Sequence, residues 1–428
     1  MAFNSLYSDK DTPSRLFPHL IDTDTGKSDA INAAFVAELI GIDDIIRTVG
    51  YHEGSDLGGC TYRVVASATG TDDGGSYIDF TGFQLEAVFT STIPAACFGA
   101  TGDGTTDDGP ALLAAITYIN TVMPRRGVLW LDHGVYWSDT KLPLVSGTGI
   151  HGAGRWSAEI EWNGTGVCIE AADALSPDLR DFGISMETDS VTAVGIKLAG
   201  QVFQMACDRV RIDGDFSTPK AGQIGILVAA DSDTNRVCYW NSFDRVDIRG
   251  VEFPVVFETV GTLDLPQANA NMMSNMRIGD FGDGDGITLI RAGDNTFSNI
   301  QLDTFADGTG LVLEESHRNT FTGFKAEGGT GSKSWAFTDS DDNTLIGNDQ
   351  CPVAPTDTGG VQNMFLANGR AFRTLEIAST GSGTGSLPTA AAEHEGQVRY
   401  LESGAVSGVG QFYGCVIDGA GYTWKAIS

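Results

Sequence analysis

Three segments of the chain repeat with a period of 24 residues: Asn295-Thr296-Phe297, Asn319-Thr320-Phe321 and Asn343-Thr344-Leu345. A further copy, Asn271-Met272-Met273, lies 24 residues before the first. A fixed period of about 20 to 50 residues is typical of solenoid proteins, in which each repeat forms one coil and buries its apolar side against its neighbours. We therefore expect stacked coils and an elongated functional surface.

Each repeat contains two short runs in which apolar and polar residues alternate, as in Asn299-Ile300-Gln301-Leu302 and Gly286-Ile287-Thr288-Leu289. Such alternation predicts half-buried strands. The leucine-rich repeat pattern does not occur, and helix signals are few, so a parallel β-helix over about residues 147–348 is favoured. The aligned asparagines would then stack at a corner and hydrogen-bond one another, although asparagine also suits a plain turn.

Composition narrows the class of protein. The chain has 428 residues, 41% of them hydrophobic, with 55 glycines and a formal net charge of −30. This charge argues against nucleic acid and anionic membranes as partners, since both require basic surfaces. The seven cysteines show no metal-binding spacing, and we expect reduced, mostly buried thiols. We expect no signal peptide at the N-terminus and no membrane insertion.

Local signals predict five regions. Residues 1–50 form a helical adaptor, whose helix begins at Asp29 and ends near Ile40; its apolar face packs on its own chain or docks on another protein. Residues 51–95 form a small β-rich neck. Residues 96–350 form the β-helix, with a capping helix over 110–122. Residues 351–385 connect it, through a Gly/Ser linker, to a β meander over 386–428.

The segment from Cys97 to Asp108 reads Cys-Phe-Gly-Ala-Thr-Gly-Asp-Gly-Thr-Thr-Asp-Asp, and a Gly-rich turn follows at residues 147–154. This segment resembles the opening of the pectate-lyase-like right-handed β-helix superfamily, as found in bacteriophage tailspikes. The resemblance implies an all-β, right-handed, single-stranded parallel β-helix with an N-terminal adaptor and a C-terminal trimerisation domain. It also implies a parallel homotrimer. Asp103, Asp107 and Asp108 are then structural residues.

One face of the predicted coils is the best candidate for a functional surface, because it holds four basic residues interleaved with carboxylates. Its outward positions fall at alternate residues of successive strands: Gly183/Ser185, Arg211/Asp213, Asp247/Arg249, Arg277/Gly279, Gln301/Asp303 and Lys325/Glu327. The inward partners are apolar. The charges of this face would form either ion-pair ladders that stabilise the sheet or a saccharide groove. One ladder would contain Arg211, Asp247 and Arg277, and the other Asp213 and Arg249.

For a groove, Asp303 and Glu327 are the candidate catalytic pair, because they point outward one coil apart, and paired carboxylates hydrolyse glycosidic bonds. Arg277, Lys325 and Arg249 are candidate substrate-binding residues, with Trp240 as a ring that could stack on a sugar. A lyase reaction would instead use Lys325 and Arg277. No metal site or cofactor is expected. Three nearby aspartates loosely resemble a calcium loop but lack its terminal glutamate, so a turn is expected there: Asp280, Asp283 and Asp285.

The functional hypothesis is a phage tailspike or tail-fibre protein, located in the virion, that binds and depolymerises a bacterial surface polysaccharide. Its expected partners are two sister chains and, through residues 1–50, other tail or baseplate proteins. The alternative is a non-enzymatic structural or receptor-binding spike with the same fold. A free polysaccharide hydrolase or lyase is disfavoured by the expected lack of a signal peptide.

Overall fold

The fold was analysed in a computed structural model. The structure describes residues 14–22, 26–55, 57–186, 192–263, 267–304, 308–328, 335–347, 356–358, 363–367, 370–373, 398–401, 411–418 and 421–426. The predicted Gly/Ser linker and the first residues of the chain lie outside these ranges. Within them, no helix is long and apolar enough to cross a membrane.

A parallel β-helix dominates the structure, which confirms the predicted fold class. Each coil contributes strands to sheets that we name A, B and C. Sheet A contains Thr92–Pro94, Val128–Leu131, Gly149–Gly152, Asp178–Arg180, Ala206–Asp208, Ser242–Asp244, Met272–Ser274, Thr296–Ser298, Thr320–Gly328, Thr344–Gly347, Met364–Ala367 and the antiparallel Arg370–Arg373. Sheet B contains Asp103–Asp107, Gly134–Ser138, Ala158–Trp162, Gly183–Ser185, Arg211–Asp213, Asp247–Arg249, Arg277–Gly279, Gln301–Thr304 and the end of Thr320–Gly328.

Sheet C lies on the third side of the coils. It contains Leu142–Leu144, Val167–Ala172, Val194–Ala199, Lys220–Asp231, Val251–Val260, Asp285–Ile290, Thr309–Glu314, Trp335–Thr338 and Thr356–Thr358. A short fourth sheet contains Val202–Phe203, Cys238–Tyr239, Ala268–Asn269 and Ala292–Gly293. The β-helix therefore continues to residue 367, beyond the predicted end at 350, because two further strands pair in parallel with the last repeats.

The predicted asparagine stack is present and longer than the repeat indicated. Asn319 donates from Nδ2 to Asn343 Oδ1 at 3.1 Å and to the backbone oxygen of Ala292 at 3.0 Å. Its own Oδ1 accepts from the backbone N–H and the Nδ2 of Asn295. The same bonds link a column of residues at most 1% exposed, which are Asn241, Asn271, Asn295, Asn319, Asn343 and Asn363.

The predicted inward positions form the core. Ile300 and Phe324 lie in neighbouring layers, since Gln301 pairs with Lys325 and the backbone N–H of Lys325 donates to the oxygen of Ile300 at 2.9 Å. Phe297 and Phe321 stack, with ring centroids 4.8 Å apart. The stacked coils thus place like residues above one another in one continuous core.

Helix α2 (Gly109–Val122) closes the first coil, as predicted. Leu112, Ile116 and Ile119 of this helix are fully buried in the β-helix core. Asp108 precedes the helix but does not cap it, since its carboxylate accepts from the backbone N–H groups of Thr101 and Gly102 at 2.6 and 3.0 Å. Its role is therefore to hold the preceding turn.

The predicted boundary at residue 50 does not separate two packing units. One five-stranded sheet crosses it, containing Ser14–Phe17, Ile45–Thr48, Thr61–Ala66, Phe83–Ala87 and Tyr77–Phe80. A short hairpin pairs Ile21–Asp22 with Gly26–Lys27. Helix α1 (Asp29–Val36) packs on this sheet through Ile31 and Phe35, the latter 4.2 Å from the ring of Phe83, while Val36 stays 78% exposed. The helix ends four residues before the predicted Ile40.

Two further elements complete the described chain. The 3-10 helix Ala95–Phe98 joins the N-terminal sheet to the β-helix. The C-terminal strands Val398–Leu401, Gln411–Asp418 and Gly421–Ala426 form an antiparallel meander, at the predicted positions. Five cysteines are described as free thiols, and four of these are buried, in line with the prediction: Cys60, Cys97, Cys168, Cys207 and Cys238.

The asparagine column predicts a specific stability effect. Asn295→Ala removes a buried amide and leaves its partners above and below without their bonds, so the free energy of unfolding should fall by about 2–4 kcal/mol. Thr296→Ala, next to it but exposed, is the matched control and should change it by less than about 0.5 kcal/mol. Guanidinium unfolding followed by circular dichroism measures both. Equal midpoints would contradict a stabilising role for the column.

Candidate functional site on the outer face of sheet B

The outer face of sheet B contains two columns of side chains, in the register predicted from the sequence. The first column runs Gly183, Arg211, Asp247, Arg277, Gln301, Lys325. The second runs Ser185, Asp213, Arg249, Gly279, Asp303, Glu327. Alternation along three-residue strands directs these residues outward, because their neighbours Ile212, Ile248 and Ile278 are buried in the core.

The structure brings the proposed catalytic residues together. Asp303 and Glu327 are partners on adjacent strands, which places their backbones about 5 Å apart. Arg277 Nη2 lies 3.8 Å from Asp303 Oδ2. Lys325 forms an ion pair with Glu327, and Gln301 Nε2 donates to Glu327 Oε2 at 2.8 Å. Arg277 and Lys325, two of the three cations predicted to bind substrate, are thus already paired with carboxylates.

Arg249 lies in the same columns, and Trp240 does not. Arg249 interacts with Asp213 at 3.6 Å and with Asp247 at 3.2 Å, so the predicted Asp213–Arg249 pair is present. Trp240 is 61% exposed, but it lies at the corner between the fourth sheet and sheet A. Strand Ser242–Asp244 separates it from sheet B, so it cannot share a site with Asp303.

The charged columns are more tightly packed toward the N-terminal coils. Arg211 is only 7% exposed. Its guanidinium group pairs with Glu159 and, at 2.9 Å, with Asp213. Burial lowers the pKa of Arg211, because desolvation disfavours the charged form. The predicted ladder of Arg211, Asp247 and Arg277 is therefore replaced by pairs to other carboxylates.

Sequence reasoning missed two aromatic residues on this face. The indole ring of Trp156 lies 4.0 Å from Arg211 Cζ, and the ring of Phe216 lies 5.1 Å from Arg249 Cζ. Trp156 belongs to the turn between sheets A and B, and Phe216 to the loop between sheets B and C. The two residues are 58% and 49% exposed. No repeat contains either ring, so only the three-dimensional arrangement reveals them.

A carboxyl group expected to belong to a turn also joins the site. Asp280 follows strand Arg277–Gly279 with a φ of 54°, and its N–H donates to the backbone oxygen of Asp303 at 2.8 Å. Burial and the charge of Asp303 raise the pKa of Asp280 above its usual value of 3.8. Asp280 thus lies close enough to Asp303 for their charges to interact.

Gly279 leaves the second column without a side chain at its position, and we name this gap the Gly279 opening. A Cβ atom there would lie 3.1 Å from the backbone oxygen of Asp303, 3.7 Å from Arg249 Cγ and 3.8 Å from Asp303 Cβ, so any side chain at this position would crowd Asp303. The opening is bordered by Arg249, Asp280 and Asp303.

Within the described residues, no group of three or more His, Cys, Asp or Glu side chains is placed to hold a metal ion.

The fold and this face together define a parallel β-helix protein with a charged, aromatic-flanked outer sheet. The sequence model of the family "Rhamnogalacturonase A/epimerase, pectate lyase-like" matches residues 95–332, which is more than half of the 428 residues. The chain belongs to this family, as the resemblance predicted. No curated protein matched the sequence.

Solved structures with a similar fold include tailspike proteins. The enzymatically active domain of tailspike protein 2 of bacteriophage CBA120 is 15% identical, with a TM-score of 0.51, and covers 78% of this chain. Tailspike gp49 of the Acinetobacter baumannii bacteriophage Fri1, described as a capsular polysaccharide depolymerase, is 13% identical, with a TM-score of 0.53, and covers 77%. The gp42 tailspike of Acinetobacter phage vb_AbaP_AS12 is 11% identical, with a TM-score of 0.53, and covers 97%.

The chain spans 52%, 66% and 94% of the length of these three structures, in that order. At such identities the similarity establishes the shared fold.

The raised pKa of Asp280 predicts a pH-dependent stability difference. Ionising a carboxyl group whose folded pKa is raised destabilises the folded state, and this penalty is present above the raised pKa and vanishes below the usual 3.8. Asp280→Asn should therefore raise the melting temperature at pH 7, and the gain should shrink as the pH falls toward 4. Asp283→Asn, an exposed change on the same turn, is the control. A gain that is the same at both pH values would contradict this interpretation.

Proposed function

We propose that this protein is a phage tailspike that binds a bacterial surface polysaccharide along the outer face of sheet B and cleaves it there. The observation that supports this most is the opening at Gly279, which is bordered by Asp280 and Asp303 and lies two strands from Glu327, with Asp303 on the strand between them. Carbohydrate sites combine such carboxylates with cations and exposed aromatic rings.

In the proposed mechanism, the two outward carboxyl groups divide the chemistry of glycoside hydrolysis. Asp303 donates a proton to the leaving glycosidic oxygen as the general acid. Glu327, facing the ammonium group of Lys325, acts as nucleophile or as the base that activates water. A carboxyl separation of about 5 Å corresponds to retention of the anomeric configuration, and one of about 6.5–9.5 Å to inversion. Arg277, Arg249 and Lys325 would hydrogen-bond the sugar.

Two substitutions test the catalytic pair. Asp303→Asn and Glu327→Gln should each lower the cleavage rate by at least about a hundredfold, because each removes an acid–base group, while leaving the melting temperature within a few degrees. The substrates are capsular polysaccharides and lipopolysaccharides from a panel of bacterial strains. Reducing ends report hydrolysis, and ultraviolet absorbance of unsaturated uronates reports elimination. Asp283→Asn is the control.

Full activity in both variants would refute the assigned pair. A wild-type protein that binds a polysaccharide but releases no product would favour the alternative function, a receptor-binding spike without enzymatic activity. That alternative is supported by the ion pairs of the face, since Arg211–Asp213, Arg277–Asp303 and similar pairs also stabilise a sheet.

We further propose that the chain forms a parallel homotrimer in the virion and attaches to other tail proteins through its N-terminal region. The support for attachment is the apolar end of helix α1 and the turn that follows it, where Val36 and Leu39 are 78% and 52% exposed. The support for trimerisation is the family resemblance together with the C-terminal meander, since three strands alone bury too little apolar surface for independent stability.

Truncation tests the trimer. Removing residues 386–428 should convert a species of three chains into monomers in analytical ultracentrifugation, because the meander strands would lose the sister chains that complete their core. The circular dichroism signal of the β-helix should remain. A truncated chain that is still trimeric would place the trimer contacts elsewhere, and a full-length monomer would contradict the proposed assembly.

A further inference from the structure

Trp156 and Phe216 occupy opposite edges of sheet B, and both reach Arg249. The ring centroids of Trp156 and Phe216 lie 5.8 and 5.1 Å from Arg249 Cζ. One ring comes from the turn that precedes strand Ala158–Trp162, and the other from the loop that follows strand Arg211–Asp213. The two side chains therefore flank the charged columns from both sides. We name this arrangement the aromatic bracket.

The bracket rings are exposed although they contact the protein. Trp156 is 58% exposed and Phe216 is 49% exposed, so each presents apolar surface to the solvent. Two exposed rings on one face, on either side of one arginine, offer apolar surface that a ligand can cover. The loop that carries Phe216 is held in place, because Asp215 accepts from the N–H groups of Ser217 and Thr218 at 2.9 and 3.1 Å.

The polar groups beneath the rings are deeply buried. Arg211, 7% exposed, has an Nε atom that is buried and makes no hydrogen bond within the described part of the chain. Asp303 Oδ1, on the far side of the Gly279 opening, is also buried and makes no hydrogen bond within the described part of the chain. These two atoms lie at the two ends of a strip of sheet B that contains polar atoms without a hydrogen-bond partner. Sugar hydroxyl groups can both donate and accept hydrogen bonds, so they could bond such atoms.

The bracket carries no excess of positive charge. The guanidinium groups of Arg155, Arg211 and Arg249 are matched by the carboxylates of Glu159, Asp213 and Asp247, and two further carboxylates lie beside the bracket, Glu161 next to Ser185 and Asp215 next to Phe216. A site without excess positive charge gives no electrostatic advantage to an acidic sugar. It suits a ring that stacks its C–H face on an aromatic side chain and offers hydroxyl groups to the charged pairs.

We propose that the aromatic bracket is a subsite for an uncharged sugar residue of the polysaccharide, next to the site of cleavage. This inference rests on the proposed function and adds the class of sugar that it recognises. The row of Arg249 and the row of Asp303 are two strands apart, about 10 Å, which is comparable with the length of a disaccharide. A chain held at the bracket thus reaches the carboxylates through the Gly279 opening.

The test measures the binding of the full-length protein to each polysaccharide of the panel, sorted into neutral and acidic members, by isothermal titration calorimetry. Trp156→Ala and Phe216→Ala should each weaken binding by about tenfold, because each removes one stacking surface. Trp156→Tyr should restore most of the affinity. Trp240→Ala is the matched control, since Trp240 is equally exposed, at 61%, but lies outside sheet B.

The wild-type protein should prefer neutral polysaccharides, and its affinity should change less than about twofold between 0.05 and 0.5 M NaCl, because binding without net charge is little screened. Preference for acidic members with a steep loss of affinity in salt would overturn the assigned sugar class. Unchanged affinity in both alanine variants would overturn the subsite and leave the proposed function standing. Wild-type protein that binds no member of the panel would overturn both.

Discussion

In-register parallel stacking of the coils is the constraint on which the rest of the structure depends. It is held by the asparagine column from Asn241 to Asn363, in which a buried amide donates to the asparagine of the next coil and accepts from that of the preceding coil. A coil of different local shape would leave two such amides unsatisfied in the interior, at a cost comparable with a large part of a domain's net stability. The column therefore keeps the corner of each coil the same.

Because the corner has the same backbone shape in each of these coils, function depends on the outward side chains and on the loops between the sheets. Because every coil presents sheet B in the same register, a residue placed outward on one strand meets its counterparts on the neighbouring strands, as Asp303 meets Glu327. The loops at the edges of the sheet can vary in length without disturbing the strands, and they carry Trp156 and Phe216. The same arrangement is rigid enough to hold carboxylates at the spacing that glycoside hydrolysis requires.

Much of this architecture could be predicted from the sequence, because the sequence contains two periods: a repeat of 24 residues and an alternation of apolar and polar residues within each strand. The 24-residue spacing predicted the asparagine stack, and alternation predicted that Ile300 and Phe324 point inward and that Asp303 and Glu327 point outward. The site was only partly predictable. The contact between Trp156 and Arg211 joins residues that are two coils apart in the chain, with two strands of each of sheets A, B and C between them, so no local sequence pattern indicates it. The raised pKa of Asp280 likewise depends on a neighbour in the next coil.

Errors in the domain boundaries have a related cause. Strands on both sides of residue 50 pair with one another, and short strands after residue 350 continue the stack, but neither pairing alters the local sequence pattern.

The most direct measurement is an experimental structure of the Glu327→Gln variant with a bound oligosaccharide from a polysaccharide that the protein binds. The account predicts sugar rings on the outer face of sheet B, with one ring against Trp156 or Phe216 and a glycosidic oxygen within hydrogen-bond distance of Asp303. An oligosaccharide bound on sheet A or sheet C, with sheet B unoccupied, would contradict it.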